Sequence, residues 1–365
     1  MIDSHAHPVT GDSQPLDLSG VALQMAEDAA ARDRRAKGAP GRLSQELMAV
    51  RLAAYLGCQV GELGVARAEA SADWHGYVAG LFADAGIEGL VLDPGAYQDD
   101  PGPASAAMAG LTGCRVRPIM RLDPLVDQQI SEGATASEIL GAAESAVRQA
   151  PRQGYVGLKT ILAYRTGLKV DPDATLKEAE TSLQTTTELP LRRRGKALRD
   201  LICRRVLGWA AELNLPIQFH TGLGDSELRL SESNPLLLEE LLLTPEGGAA
   251  TVVLIHGSYP WHEELAYLAL VRPNVHAELS LFNLFVPATV AERLERVLEL
   301  APASRVLCGT DGHGSPETFW FAALVLRDAW ATVRRSWAAR GAREAWLDGL
   351  EDAIFRANTA RLYGF

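Results

Sequence analysis

The feature of this sequence that most limits its fold is a repeated two-part unit. A short run rich in Val, Ile and Leu, bounded by Gly, Pro or Asp, is followed by a longer stretch in which apolar residues recur every three or four positions. A continuous apolar run reads as a strand buried on both faces, and the stretch after it as an amphipathic crossover helix. Strand and helix in alternation specify a parallel sheet. Strands are expected near residues 1–6, 87–93, 114–121, 154–161, 215–220, 251–256, 274–280 and 304–309. Eight such strands close a (β/α)8 TIM barrel, so the predicted class is α/β, with one barrel over residues 1–365.

Helical spacing is present over 135–150, 196–213, 262–271, 287–301 and 316–338, and a last helix near 343–360 is expected to pack outside the barrel. Two connections are too long for simple crossovers. Residues 8–86 hold two predicted helices, near 41–57 and 66–85, and so form an inserted helical cap or side subdomain after the first strand. Residues 162–195, with Pro172, the threonines 185–187 and Pro190, read as a long loop at the barrel mouth, where loops shape substrate pockets.

Charge narrows the function classes. The chain carries 46 acidic and 35 basic side chains, a formal charge of -11 that repels phosphate backbones and anionic lipid. Neither nucleic acid nor a membrane is an expected partner. The dense basic run at 192–196 reads as a solvated loop or helix start. No segment approaches the roughly 20 apolar residues that span a bilayer. The opening Met-Ile-Asp-Ser-His has no basic and apolar leader, and Cys58, Cys114, Cys203 and Cys308 show no paired spacing. These readings together predict a reduced, cytoplasmic protein.

Polar residues fall where the strands should end. In Asp3-Ser4-His5-Ala6-His7 the two-residue period of a strand turns both imidazoles to one side, forming a clamp for a cation. A His-x-His pair alone is also a common surface or core feature. The arrangement recurs, however, with His220 ending the strand Pro216-Ile217-Gln218-Phe219, His256 ending Val252-Val253-Leu254-Ile255, and Asp311 following Val306-Leu307-Cys308. In a barrel those carboxyl ends converge on one mouth, where active sites lie. Imidazoles with a carboxylate suit Zn²⁺, and Mn, Fe or Ni are also compatible. Lys159, inside the apolar strand Gly157-Leu158-Lys159-Thr160-Ile161, must be paired, modified or aimed at the mouth, because an isolated buried ammonium is very costly. It is either a free amine for a substrate carboxylate or, once carbamylated by CO₂, an anionic bridge between two ions.

This order of residues resembles the amidohydrolase superfamily, whose metal ligands are a His-x-His on strand 1, a lysine on strand 4, histidines on strands 5 and 6 and an aspartate on strand 8. His5, His7, Lys159, His220, His256 and Asp311 occupy those slots. The stretches GLKTILAYRTG at 157–167, QFHTGLGDSELRLSESNP at 218–235 and HGSYP at 256–260 resemble the FluG-like amidohydrolases, found alone or fused to glutamine-synthetase-like domains. That branch also contains metal-dependent decarboxylases. The resemblance implies either one zinc on His5, His7, His220 and Asp311 with His256 as acid or base, or two ions on all six residues. Lys159 at the bridging slot favours two.

On the resemblance, a metal-bound hydroxide attacks an amide carbonyl and Asp311 passes the proton to the departing amine. His256 holds the second metal or steadies the oxyanion, and Asp3 orients His5 or merely starts its strand. Arg121 and Arg165, near the mouth, are candidates to bind a substrate carboxylate, although each is also of the type that forms structural ion pairs. The expected substrate is a small acidic amide, with a γ-glutamyl amide suggested by association only. Asp225, Glu227 and Arg229 rank below the arginines. The glycines of 221–225 lack the Gly-Lys-Ser/Thr ending of a phosphate loop and read as a mouth loop. His75 and His276 read as structural, His262 as a helix-start residue beside Trp261, His313 as near the pocket, and Trp320, Trp330 and Trp337 as core or interface residues. The competing readings are a one-zinc decarboxylase and a non-catalytic metal-binding regulator. A homo-oligomer is compatible with all three.

Overall fold

A computed structural model describes residues 1–16, 18, 41–95 and 98–365. All sheet pairing in it is parallel. β1 (Ile2–Ala6), β2 (Gly89–Leu92) and β3 (Arg115–Pro118) form one sheet, and β4 (Met120–Arg121), β5 (Leu158–Thr160), β6 (Ile217–His220), β7 (Val252–Ile255), β8 (Val275–Leu279) and β9 (Val306–Cys308) form the other. Only Ile119 separates β3 from β4. Its N–H donates to Leu92 O while the next N–H, of Met120, donates to Gly157 O, so the third barrel strand simply changes partners there. The opposite seam joins β9 to β1, with Asp311 N donating to His5 O and His7 N to Gly312 O, each at 2.9 Å. Eight staves with both seams bridged make the expected barrel.

The pleat sorts the barrel into two environments. Outward residues such as Leu90, Leu158, Ile217 and Val252 are buried against the helices in the main core. On the inner face, Val91 and Ile119 pack with Tyr363, and Val253 and Ile255 with Leu307, as two small separate clusters. Above them the same pleat places Asp3, His5, Asp93, Arg121, Lys159, Gln218, His220, Glu278 and Ser280 on the inner side. An apolar floor below a polar mouth is the physical arrangement that sets up the site.

Both long connections differ from their sequence reading in detail. Among the described residues, the segment after β1 shows the helices Leu43–Leu56, Leu63–Ala70 and Trp74–Asp84, so the region expected as one helix near 66–85 is divided in two. The break at 71–73 ends on Asp73, whose carboxylate accepts from Gly76 N at 3.1 Å. Residues 17 and 19–40 of the expected 8–86 insertion lie outside the described residues. The stretch 162–195 is not an open loop, because it contains the helix Leu176–Thr185. Thr175 and Glu178 form a reciprocal capping box at its start, a Thr-x-x-Glu signal visible in the sequence. The basic run at 192–196 is a helix start as expected, with Lys196 opening the helix Lys196–Leu213.

Candidate active site

A cavity of about 380 Å³ opens at the carboxyl ends of the strands, and its wall includes His7, Lys159, His220, His256, Asp311 and His313. His5 lies immediately beneath, fully buried. Its Nε2 stands 3.2 Å from Asp311 Oδ1, and His7 Nε2 stands 3.3 Å from the same oxygen. His256 packs 4.4 Å from His220 and 5.4 Å from His5, centroid to centroid. Lys159 Nζ is 2.8 Å from His5 Nε2. All six residues expected from the sequence therefore gather at one place, although they present themselves unequally. Among the described residues, His5, His7 and Asp311 offer a cation three donor atoms within 4.8 Å of one another. His220 instead turns Nε2 toward the carbonyl of Leu223, 2.9 Å away.

The electrostatics suit a cation. Burial, with Lys159 nearby, pushes the His5 imidazole down to about 4, and burial likewise holds His220 and His256 well below the usual range. The rings are thus neutral, the form that ligates a metal. Burial would raise the Asp311 carboxyl, but the surrounding His256, His5 and His7 hold it well below the ordinary range, as an anion. Asp311 Oδ1 is buried and accepts no hydrogen bond. A buried, ionised oxygen without a donor, faced by two imidazole nitrogens, fits a divalent ion. Backbone strain marks the same spot: His256 (φ 70°), Leu281 (φ 61°) and Asp311 (φ 52°), three of the five non-glycine residues at positive φ among those described, all line the cavity.

The two arginines separate. Arg121 reaches the cavity wall, but its Nε and one Nη both donate to Asp93 Oδ2, at 3.0 and 2.6 Å. Arg165 does not line the cavity. It is turned away into a cluster in which Asp127 accepts from Arg165 Nε at 2.8 Å and from Arg199 at 2.6 Å, so the expectation that it meets substrate is corrected. Asp225 does line the wall, its N–H donating to Tyr164 Oη at 2.9 Å, whereas Glu227 and Arg229 do not. His313 stands at the wall, 5.0 Å from His7.

Sequence reasoning missed two carboxylates. Asp93 is fully buried, takes Lys159 Nζ at 3.3 Å beside Arg121, and offers its own carbonyl to His7 Nδ1 at 3.0 Å. Burial would raise its carboxyl, yet Arg121 and Lys159 hold it well below the ordinary range. Its signal was available, since Gly89–Leu92 is an apolar strand ending in a carboxylate just as β9 runs into Asp311. Glu278 gave less warning: it sits inside β8, and only its place on the inner face gives it meaning.

Residues 140–365 match the family model for amidohydrolases. The chain belongs to the amidohydrolase family. It is 38% identical over 224 residues to protein FluG of Emericella nidulans, a match covering 57% of this amidohydrolase and 25% of FluG. The chain thus spans about a quarter of the length of that curated relative. In structure it resembles a Lactobacillus casei ATCC 334 protein named as a "putative metal-dependent hydrolase", with a TM-score of 0.85, 27% identity and coverage of 100% of this chain and 95% of that one. A uronate isomerase of Thermotoga maritima shares the fold, with a TM-score of 0.70 at 13% identity, covering 100% and 94% of the two chains. Family and fold imply a metal ion, and the His5, His7 and Asp311 arrangement is a candidate place for it. Among the described residues no helix is long and apolar enough to cross a membrane.

Proposed function

We propose that this amidohydrolase cleaves a C–N bond in a small carboxylate-bearing amide, with a γ-glutamyl amide as the first class to test. The observation that carries this reading is the convergence of two imidazoles on the buried, unbonded Oδ1 of an ionised Asp311 at the cavity wall. His5, His7 and Asp311 would hold the ion, with His220 and His256 as further candidate ligands beside them. Zinc, or another divalent ion in its place, supplies an ionised water at neutral pH and polarises the scissile carbonyl. Asp311 then accepts the proton of the attacking water and returns it to the departing amine, which its anionic state permits. His256, held neutral by burial, offers a ring nitrogen to the cavity as a further ligand or a proton acceptor. Arg121 and Lys159 give the cavity wall a cationic side for the substrate carboxylate, although Asp93 takes part of that charge.

The Lys159–Asp93 pair also bears on the number of ions. A carbamate on Lys159 would bring a second anion against a fully buried carboxylate that now lies 3.3 Å from Nζ. This supports an unmodified amine and a single ion, and with it a second reading, decarboxylation of a small carboxylic acid with His256 as the acid or base. The decisive experiment combines elemental analysis of the purified protein with a screen of γ-glutamyl amides, other carboxylate-bearing amides and aromatic carboxylic acids, before and after chelation. Amine release that disappears on chelation and returns with zinc is the expected result. CO₂ release selects the second reading, and turnover indifferent to chelation refutes both.

A further inference from the structure

Beneath His256 lies a buried chain of polar groups that no step above uses. Glu278 and Ser280 are fully buried on the inner face at the end of β8. His256 Nδ1 lies 2.8 Å from Ser280 Oγ, and Ser280 Oγ donates to Glu278 Oε2 at 2.8 Å. The same Oε2 accepts the His256 backbone N–H at 3.0 Å, and Oε1 accepts from Ser4 Oγ at 2.9 Å. Three donors therefore converge on one carboxylate from β1, from the β7 end and from the β8 end. Burial pushes the Glu278 carboxyl up to about 8, but Oε2 already accepts the fixed His256 backbone N–H and remains the acceptor when a proton sits on Oε1, so the one proton of the Ser280 hydroxyl goes to Oε2. Ser280 Oγ can then only accept from His256, which requires the imidazole proton on Nδ1 and leaves Nε2 as a bare lone pair.

Two backbone features hold the chain in place. Ser280 O accepts from Phe282 N at 2.7 Å around Leu281 (φ 61°, ψ -61°), the geometry of a strained classic γ-turn, which fixes Ser280 against the His256 ring. Gly309, just beyond the neighbouring β9, gives Glu278 its room, since a Cβ there would lie 2.2 Å from Oε1. We propose that Glu278 and Ser280 are positioning residues that set the tautomer and ring orientation of His256, so that Nε2 faces the cavity as a proton acceptor or ligand. The inference rests on His256 facing the reacting centre, and its test needs no turnover, so its failure is separable from failure of the amide reading.

The test is long-range ¹H–¹⁵N correlation spectroscopy of the protein labelled with ¹⁵N-histidine, with His256→Gln assigning the signal and the tautomer ratio read after zinc is removed, because an ion on Nε2 would itself keep the proton on Nδ1. In the wild type the His256 proton is expected on Nδ1. Ser280→Ala should shift the tautomer ratio toward Nε2–H by about fivefold, the equivalent of one lost hydrogen bond of about 1 kcal/mol, and Ser280→Thr should restore it. A wild-type proton on Nε2, or a ratio in Ser280→Ala equal to that of the wild type, overturns the proposal. The wild-type spectrum decides alone if the alanine variant does not fold.

Discussion

Replacing Arg67 by Met tests whether the segment between β1 and β2 helps build the catalytic mouth. Arg67 is buried and donates from Nε to Glu317 Oε1 at 2.8 Å, and from one Nη to Ser13 Oγ and Gln14 O, both at 2.8 Å. Its guanidinium lies over Trp74 and Tyr77, 5.2 Å from each ring centroid. Glu317 has no exposure of its own and also receives Tyr77 Oη and Ser315 Oγ, the latter two residues beyond the cavity-lining His313. Methionine replaces the aliphatic stem but leaves the Glu317 charge buried without its cation, a loss that costs about 3–5 kcal/mol. For a 365-residue chain the unfolding entropy is about 0.8 kcal/mol per kelvin, so the melting temperature should fall by about 4–6 °C. Calorimetry of the wild type, both single variants and Arg67→Met/Glu317→Gln reads this directly. If the cost is an uncompensated charge, the double variant should be less destabilised than the two single losses added together. A melting temperature within about 1 °C of the wild type in Arg67→Met, or strict additivity, would refute the reasoning.

Asp311→Asn should lower turnover by roughly 10²–10⁴-fold through loss of the proton acceptor while much of the metal stays bound, and near-native rates with full metal content would remove Asp311 from proton transfer. Gly309→Ala should drive a Cβ into Glu278 Oε1 at 2.2 Å and toward Ser4 Oγ at 2.9 Å, with an overpacking cost of about 1–3 kcal/mol, and an unchanged denaturant midpoint would show that the strand can yield. Burial holds His262 down at about 4 against an ordinary 6.5, so its neutral form stabilises the fold fully above about pH 6.5, and that contribution is lost as pH falls toward 4. His262→Gln should therefore flatten the fall of unfolding free energy near pH 5 by up to about 1.4 kcal/mol per pH unit, and parallel curves for the two proteins would contradict this.

Much of the site was readable because each ligand candidate sits at a place the local pattern marks. His220, His256 and Asp311 each follow a buried apolar run, and His5 and His7 share one strand face by the two-residue period. Pairing was not readable in this way. Arg121 and Arg165 look equivalent in sequence, yet Arg121 stands on the inner face of a strand and Arg165 one turn beyond β5, where Asp127, shared with Arg199, claims it. The Pro and Thr content of 162–195 points to a loop, while the Thr175 and Glu178 capping box, a purely local signal, marks the helix inside it.

What the sequence determined by itself, then, is whatever depends on short-range periodicity: parallel strands, their inward faces, and the polar residues at their carboxyl ends. Tertiary structure alone decided which charges neutralise one another, because ion pairs and hydrogen bonds are set by proximity across strands. Lys159 meets Asp93, Arg67 meets Glu317 across a separation of 250 residues, and Glu278 reaches the back of His256 through Ser280. A buried charge must find its partner wherever the closed barrel brings one, and no window along the chain contains that information.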